Sequence, residues 1–168
     1  SAVQSAIGQR YVIHGLLGRG GMAQVFHATD RTLGCDVALK RLLPSFAAAQ
    51  RKGVAALFEH EYHTLTQLRH PRMIAVHDYG VDSTGCPFYP MELLDGGDLR
   101  SRAPLPWREA CALSFDVCSS LALLHSRRLI HRDVSPSNVR CTRDGKAKLI
   151  DFGAMIPMSS GGAQIVGT

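Results

Sequence analysis

Cysteine is scarce in this chain and poorly arranged for bonding. The five residues Cys35, Cys86, Cys111, Cys118 and Cys141 form no CxxC pair, and their number is odd. That excludes a disulfide framework and a cysteine-based zinc site, and it leads us to expect a reducing, cytoplasmic setting. Cys111 and Cys118, seven residues apart in a helical pattern, read as small core residues. Long apolar runs are absent too. None approaches the roughly 18–20 residues that a membrane helix needs, so no membrane segment is expected. Residues Ser1 to Gln9 lack a basic region followed by an apolar stretch and do not read as a secretory signal. Internal repeats and low-complexity tracts are missing. The basic residues are scattered rather than gathered in one run. The net charge of +5 and pI of about 9.2 fit acidic partners such as nucleotide phosphates, but the scatter favours a charge with no special ligand, and no nucleic-acid partner is expected.

What is present is ordinary globular material, with 45% hydrophobic and 20% charged residues, enough to bury a core. The first third has strand character. Tyr11 to Leu17 leads into a glycine cluster, Gln24 to Ala28 is extended again, Asp30 to Gly34 reads as a turn, and Asp36 to Arg41 as a third strand. The period then changes. Leu57, Phe58, Glu61, Leu65 and Leu68 recur at three- and four-residue steps, which predicts a helix ending near His70-Pro71. Met73 to Val81 and Phe88 to Leu93 are predicted strands, separated by turn residues Asp82 to Gly85. Asp95-Gly96-Gly97-Asp98 breaks the pattern and suggests a boundary between two lobes. A long helix is predicted from Trp107 to Arg127, with Leu113, Val117, Leu121 and Leu124 on one face. Short extended pieces follow at Leu129–Ile130, Val139 to Cys141 and Ala147 to Ile150, the last two joined by the hairpin signal Asp144-Gly145. Ala154 to Thr168 is rich in Gly and Ser and has no clear period.

Three features carry chemistry. The first is Leu17-Gly18-Arg19-Gly20-Gly21-Met22-Ala23-Gln24-Val25, which lies between two strands. Glycines here let backbone N–H groups approach phosphate oxygens. A dinucleotide-binding loop would open a helix instead, whereas this loop leads into a strand. Ala23 stands at the third glycine position and is small enough to do little steric harm. The second feature is Lys40, at the end of Val37-Ala38-Leu39-Lys40. Such a lysine suits the α- and β-phosphates of a nucleotide when a helix carboxylate holds it. Glu61 is the best candidate, because a charge four residues before Leu65 on an apolar face needs a partner. Glu59, two residues away, points to another face.

The third and strongest feature is His131-Arg132-Asp133-Val134-Ser135-Pro136-Ser137-Asn138, followed by Asp151-Phe152-Gly153. An aspartate beside an attacking hydroxyl orients it and accepts its proton, while an asparagine and a second aspartate hold Mg²⁺ on the phosphates.

With these motifs in order, the sequence resembles the eukaryotic-like protein kinase family. Gly-Arg-Gly-Gly-Met-Ala and His-Arg-Asp-Val-Ser-Pro-Ser-Asn are similar to bacterial serine/threonine kinases. The resemblance runs from about Tyr11 to Thr168. It implies an α+β kinase fold: an N-terminal flank (1–9), a small antiparallel β lobe with one helix (10–94), and the first part of a helical C-lobe (95–168). It implies ATP and Mg²⁺ as cofactors, and transfer to Ser or Thr hydroxyls of a protein substrate. Asp133 would be the catalytic base, Asn138 and Asp151 the metal ligands, and Lys40 with Glu61 the phosphate grip. Gly18, Gly20, Gly21 and Ala23 would cradle phosphates. Met91 would guard the back of the adenine pocket, Glu92 to Leu94 would form the hinge, and Asp98 would lie near the ribose. Val25 and Ala38 would cover one adenine face. Val76, Leu65, Phe152 and His131 would stack as a spine coupling the lobes. Arg132 beside Asp133 implies control by a phosphate on the later segment, where Ser159, Ser160 and Thr168 are the hydroxyls.

The family pattern is broken in three places. Ser135 stands where a lysine usually contacts the γ-phosphate, and a hydroxyl cannot supply that charge. Arg140 occupies the position of an apolar residue under the adenine, where its guanidinium could stack on the base or its stem could pack while the charge reaches water. The chain stops at Val166-Gly167-Thr168, where the family continues into the rest of its helical lobe, so apolar faces are expected that the remaining lobe or a partner would cover. Two other readings follow from these departures and from the shared Asp…Asn loop. One is a pseudokinase serving as a nucleotide-binding or scaffolding module. The other, which fits Asp-Phe-Gly less well, is a small-molecule kinase.

Overall fold

The computed structural model describes residues 2–47 and 52–158. After a short helix α1 (Ala2–Ile7) come strands β1 (Tyr11–Arg19), β2 (Ala23–Asp30) and β3 (Cys35–Leu42), then helices α2 (Pro44–Ala47) and α3 (Lys52–Gln67). Strands β4 (Gly80–Val81) and β5 (Pro87–Glu92) complete an antiparallel sheet of order β1-β2-β3-β5-β4. The turns obey their chemistry. Asp30, fully buried, accepts N–H bonds from Thr32 and Leu33 at 2.8 and 3.3 Å and is paired with Arg10 at 2.9 Å, while Gly34 takes a left-handed φ of 68°. Asp82 does the same for the β4–β5 turn. It accepts from the backbone N–H groups of Thr84 and Cys86, and Arg41 of β3 reaches it at 2.6 Å.

Met73 to Val81 departs from its predicted strand. Only Gly80–Val81 joins the sheet, while Met73 and Val76 make single bridges to Leu149 and Met91. The reason is that this segment serves two neighbours. Ile74 N–H donates to Leu149 C=O, and His77 N–H to Pro90 C=O, so no single ladder can form. The helix predicted from Leu57 to near His70-Pro71 begins earlier and ends at Gln67; Phe58, Glu61 and Leu65 are buried as its spacing required, whereas Leu57 is exposed.

The second half is built on α5 (Trp107–Ser126), preceded by a one-turn helix α4 (Leu99–Arg102) that Asp98 caps. Strands β6 (Leu129–Ile130) and β9 (Ile156–Pro157) pair, as do β7 (Val139–Cys141) and β8 (Ala147–Leu149). Leu113, Val117 and Leu124 of α5 pack with Val139, Cys141, Leu149, Phe152, Leu65 of α3 and Leu68 just beyond it in one buried cluster, while Phe58 of α3 packs with Leu42 and Tyr89 of the sheet, so α3 belongs to the cores of both halves. Asp116 ties the junction. It pairs with Arg72 at 2.9 Å and accepts the Ala147 N–H at 2.9 Å, and Ser120 Oγ donates to Arg72 C=O at 2.6 Å. The expectation that Cys111 and Cys118 are core residues is wrong, since both are exposed. Their seven-residue spacing does put them on one face, but it is the face opposite Leu113 and Leu124, shared with Trp107 and Phe115, which are 70% and 74% exposed.

Candidate active site

Sheet and lower half enclose a cleft. The end of β1 forms its roof through Leu17 and Gly18, β2 and β3 contribute Val25, Ala38 and Lys40, and α3 contributes Glu61 and Leu65. From the other side come Asn138, Arg140, Ile150 and Asp151, and the back is closed by Tyr89 and Met91. These residues arrive from five separated stretches of sequence, which is why pattern reading could name them only piecemeal.

Lys40 sits on β3 with its side chain largely buried. Its Nζ lies 2.9 and 3.1 Å from the two carboxylate oxygens of Glu61 and 3.4 Å from Asp151 Oδ1. Burial works against the charge. The opposing influences are Tyr89, Glu61 and Asp151, and they win, holding the amine well above the ordinary lysine value. Burial raises the Tyr89 phenol far enough to keep it neutral, so the two carboxylates carry the effect. Glu61 is itself buried, and besides Lys40 it accepts the backbone N–H of Phe152 at 3.2 Å, which fixes the start of the Asp-Phe-Gly segment against α3. Glu59 turns to solvent, 3.5 Å from His63.

Asp133 and Asn138 are joined. Asn138 Nδ2 donates to Asp133 Oδ2 at 2.8 Å and to Asp133 C=O at 3.0 Å. A tight 3₁₀ turn at Pro136–Asn138, entered from Ser135, brings the two together. The amide's two donor hydrogens are therefore spent on Asp133, and its oxygen, together with the half-exposed Asp151 carboxylate, offers hard oxygen ligands facing the cleft. This donor set suits Mg²⁺. Asp151 and Arg132 hold left-handed φ values of 59° and 67°, uncommon for non-glycine residues, as does Arg128 after α5 at 56°.

The sequence-predicted residues divide into groups. Gly18, Val25, Ala38, Lys40, Glu61, Met91, Glu92, Leu94, Asn138, Arg140 and Asp151 line the cleft, while Gly20, Gly21 and Ala23 line an adjoining hollow that shares Lys40, Glu61 and Asp151. Asp98 is not among the cleft-lining residues. Its carboxylate accepts the Ser101 N–H at 2.7 Å as a helix cap, and Arg140, bridged to it through the backbone, helps hold its pKa down after that capping bond. In the spine, Leu65 and Phe152 are buried together, Val76 packs on their cluster, and His131 meets the Phe152 ring edge-on at 4.8 Å. Sequence reading missed Ile74, Tyr89 and Ile150 in the cleft wall, because nothing in an isolated apolar residue marks which cavity it will face. It also missed Lys148. That residue of β8 grips both carboxylate oxygens of Glu92 at 2.7 and 2.8 Å, while the Ala75 N–H donates to the same carboxylate. Arg132 Nε donates to Ala154 C=O at 2.9 Å. Ser159, Ser160 and Thr168 lie outside the described residues.

The model of the protein kinase domain matches residues 11–168. The chain belongs to the protein kinase family. A probable serine/threonine-protein kinase of Streptomyces coelicolor is 36% identical over 96% of this chain and 26% of its own length. The kinase PknB of Mycobacterium leprae is 34% identical, over 88% of this chain and 24% of its own. A DNA damage-responsive serine/threonine-protein kinase of Deinococcus radiodurans reaches 38% identity over 86% of this chain and 22% of its own. This kinase chain spans about a quarter of the length of these relatives. Among its described residues, no helix is long and apolar enough to cross a membrane.

Proposed function

We propose that this kinase domain transfers the γ-phosphoryl group of ATP to Ser or Thr hydroxyls of protein substrates, in a cytoplasmic setting. The observation that carries the reading is the convergence of Lys40, Glu61, Asn138 and Asp151 on one cleft, with Asp133, which is not among the cleft-lining residues, bonded to Asn138. The residues divide into an upper lobe over 10–94 and a lower part over 95–168, with the nucleotide between them. The serine/threonine kinase names of the relatives support the substrate class.

The residues present fit Mg²⁺-ATP. Lys40, kept charged by Glu61, meets the α- and β-phosphates as a point charge already positioned, so no side-chain ordering is left to oppose binding. Asn138 and Asp151 would hold Mg²⁺, which when bound neutralises charge on the β- and γ-oxygens. The backbone of Glu92 to Leu94 faces the adenine edge, and the Lys148 clamp on the Glu92 side chain keeps that backbone in place. Asp133 accepts the proton of the attacking hydroxyl, its carboxylate held in orientation by Asn138 Nδ2. Ser135 supplies no charge to the γ-phosphate, which leaves Lys40 and the metal to carry that stabilisation. Arg140 lines the cleft, and its backbone bridge to Asp98 holds it at the cleft floor.

The test is transfer of labelled phosphate from ATP to a general protein substrate by the full-length protein with Mg²⁺, beside Asp133→Asn and Lys40→Met. Each substitution is expected to lower kcat by about 10²–10⁴-fold. Activity untouched by both would overturn the proposal. A nucleotide-dependent rise in Tm without transfer would make the domain a binding module instead.

A further inference from the structure

The paired strands that line the cleft carry a second group of ligating side chains. Cross-strand neighbours Val25 and Lys40, His27 and Ala38, and Thr29 and Asp36 share one face of the sheet. Val25, Ala38 and Lys40 line the cleft. His27 and Asp36 therefore lie on the same face, two residues further out along β2 and β3. The register of β1 against β2 slips between Ile13 and Gly15, and the residue in that slip is His14. Its ring lies against His27, with centroids 4.9 Å apart. His14, His27 and Asp36 each present a ligand atom within 4.8 Å of the others, from three adjacent strands.

We propose that His14, His27 and Asp36 form a binding site for a divalent first-row transition metal such as Zn²⁺, on the cleft face of the sheet and outside the phosphate-transfer machinery. Imidazole nitrogens and one carboxylate oxygen are the ligands such ions take, and three protein ligands leave a fourth position for water. Ligand atoms about 2.0–2.1 Å from a tetrahedral ion lie about 3.4 Å from one another, so the 4.8 Å span closes by small side-chain rotations. One pair is already close, with His27 Nε2 3.0 Å from Asp36 Oδ2. A supporting group is also in place. Thr29 Oγ1 donates to Asp36 Oδ1 at 2.6 Å and lies 2.7 Å from His14 Nε2, which holds both side chains toward the centre. All three ligands are open to solvent at least in part, so metal can enter and the displaced proton can leave. Cys35 is exposed and adjacent in sequence, but alternation directs it to the opposite face, where it is the cross-strand partner of Asp30. Bound metal would fasten the β1 slip to β2 and β3, just behind the glycine loop.

The experiment is isothermal titration of Zn²⁺ into tag-free, metal-stripped full-length protein, repeated with His14→Asn, His27→Asn, Asp36→Asn, Thr29→Val, Cys35→Ser and His63→Gln. Wild type is expected to bind one Zn²⁺ through this group. Each ligand substitution is expected to weaken that binding by about 100-fold and Thr29→Val by about 10-fold, while Cys35→Ser and His63→Gln leave it unchanged. Co²⁺ in the same site is expected to give the visible bands of a four-coordinate ion, lost in His27→Asn. Phosphate transfer is not the readout, so the result is independent of the kinase assignment. Absence of saturable Zn²⁺ binding would overturn the site and leave a hydrogen-bonded His–Asp–Thr group. Binding that survives His14→Asn, His27→Asn and Asp36→Asn, or that is lost in Cys35→Ser, would overturn it as well.

Discussion

Lys40 shows how a single residue can be both costly and necessary. An ammonium in a largely buried position is tolerated only because two carboxylates face it, Glu61 at 2.9 Å and Asp151 at 3.4 Å. Removing Glu61 leaves the charge only the more distant, half-exposed Asp151. We expect Glu61→Ala to destabilise the domain by about 3–5 kcal/mol, read from urea midpoints at constant m. Glu61→Gln keeps the Phe152 N–H acceptor and should cost less; because both variants lose the charge, equal losses would show that this bond contributes nothing, and a negligible loss for Glu61→Gln would show that the charge is immaterial. His131 makes a second expectation. Burial lowers its pKa from 6.5, against weaker raising influences from Ile150, Asp151, Asp133 and Glu61, so the folded state prefers the neutral ring. The unfolded chain then binds more protons on the acid side. The contribution is full above about pH 6.5 and is lost as pH falls through the lower folded value. Stability measured between pH 7.5 and 5.5 should fall, and His131→Phe should flatten that slope. An unchanged slope would assign the acid sensitivity elsewhere. The residues of this site were legible because each breaks a local rule: a lysine ending an apolar strand, a glutamate on an apolar helix face, polar triplets in fixed order. Ile74, Tyr89 and Ile150 break none and stayed hidden.

Among the elements, α3 and α5 carry the coupling between site and fold. Leu65 stands one turn beyond Glu61, and its burial against Phe152 holds the carboxylate toward Lys40. Leu65→Ala should cost about 2–5 kcal/mol. If the coupling is real, it should also raise KM for ATP in the variant at temperatures where it remains folded, and a loss of stability with KM unchanged would separate packing from the site. Asp116 of α5 is the joint between Arg72 and the Ala147 N–H. Asp116→Ala strands both a cation and a buried donor, and a drop of about 3–5 kcal/mol in unfolding free energy is expected from denaturant curves. Periodicity found both helices, because long apolar spacings survive in one dimension. It failed on Met73 to Val81, whose extended backbone shares its hydrogen bonds between Leu149, Pro90 and Glu92. It failed likewise on Cys111 and Cys118, since spacing alone assigns a common face and not which face is covered.

For the whole molecule, a twisted five-stranded sheet and a helical base meet around one cleft, and the buried α3 residues serve both. The class of fold was readable from the order of signals: strands around glycines, one helix, a break at Asp95–Asp98, then a long helix and the catalytic loop. The closeness of Lys40 to Asp151, far apart in sequence, could come only through the family resemblance, because no local pattern encodes it. That closeness is also the central claim. It is tested most directly by a crystal structure of the full-length protein with a non-hydrolysable ATP analogue and Mg²⁺. Lys40 Nζ is expected to contact the α- or β-phosphate and Asp151 to ligate a metal on the same nucleotide. A nucleotide bound away from this cleft, with the Lys40–Glu61 pair unengaged, would contradict it.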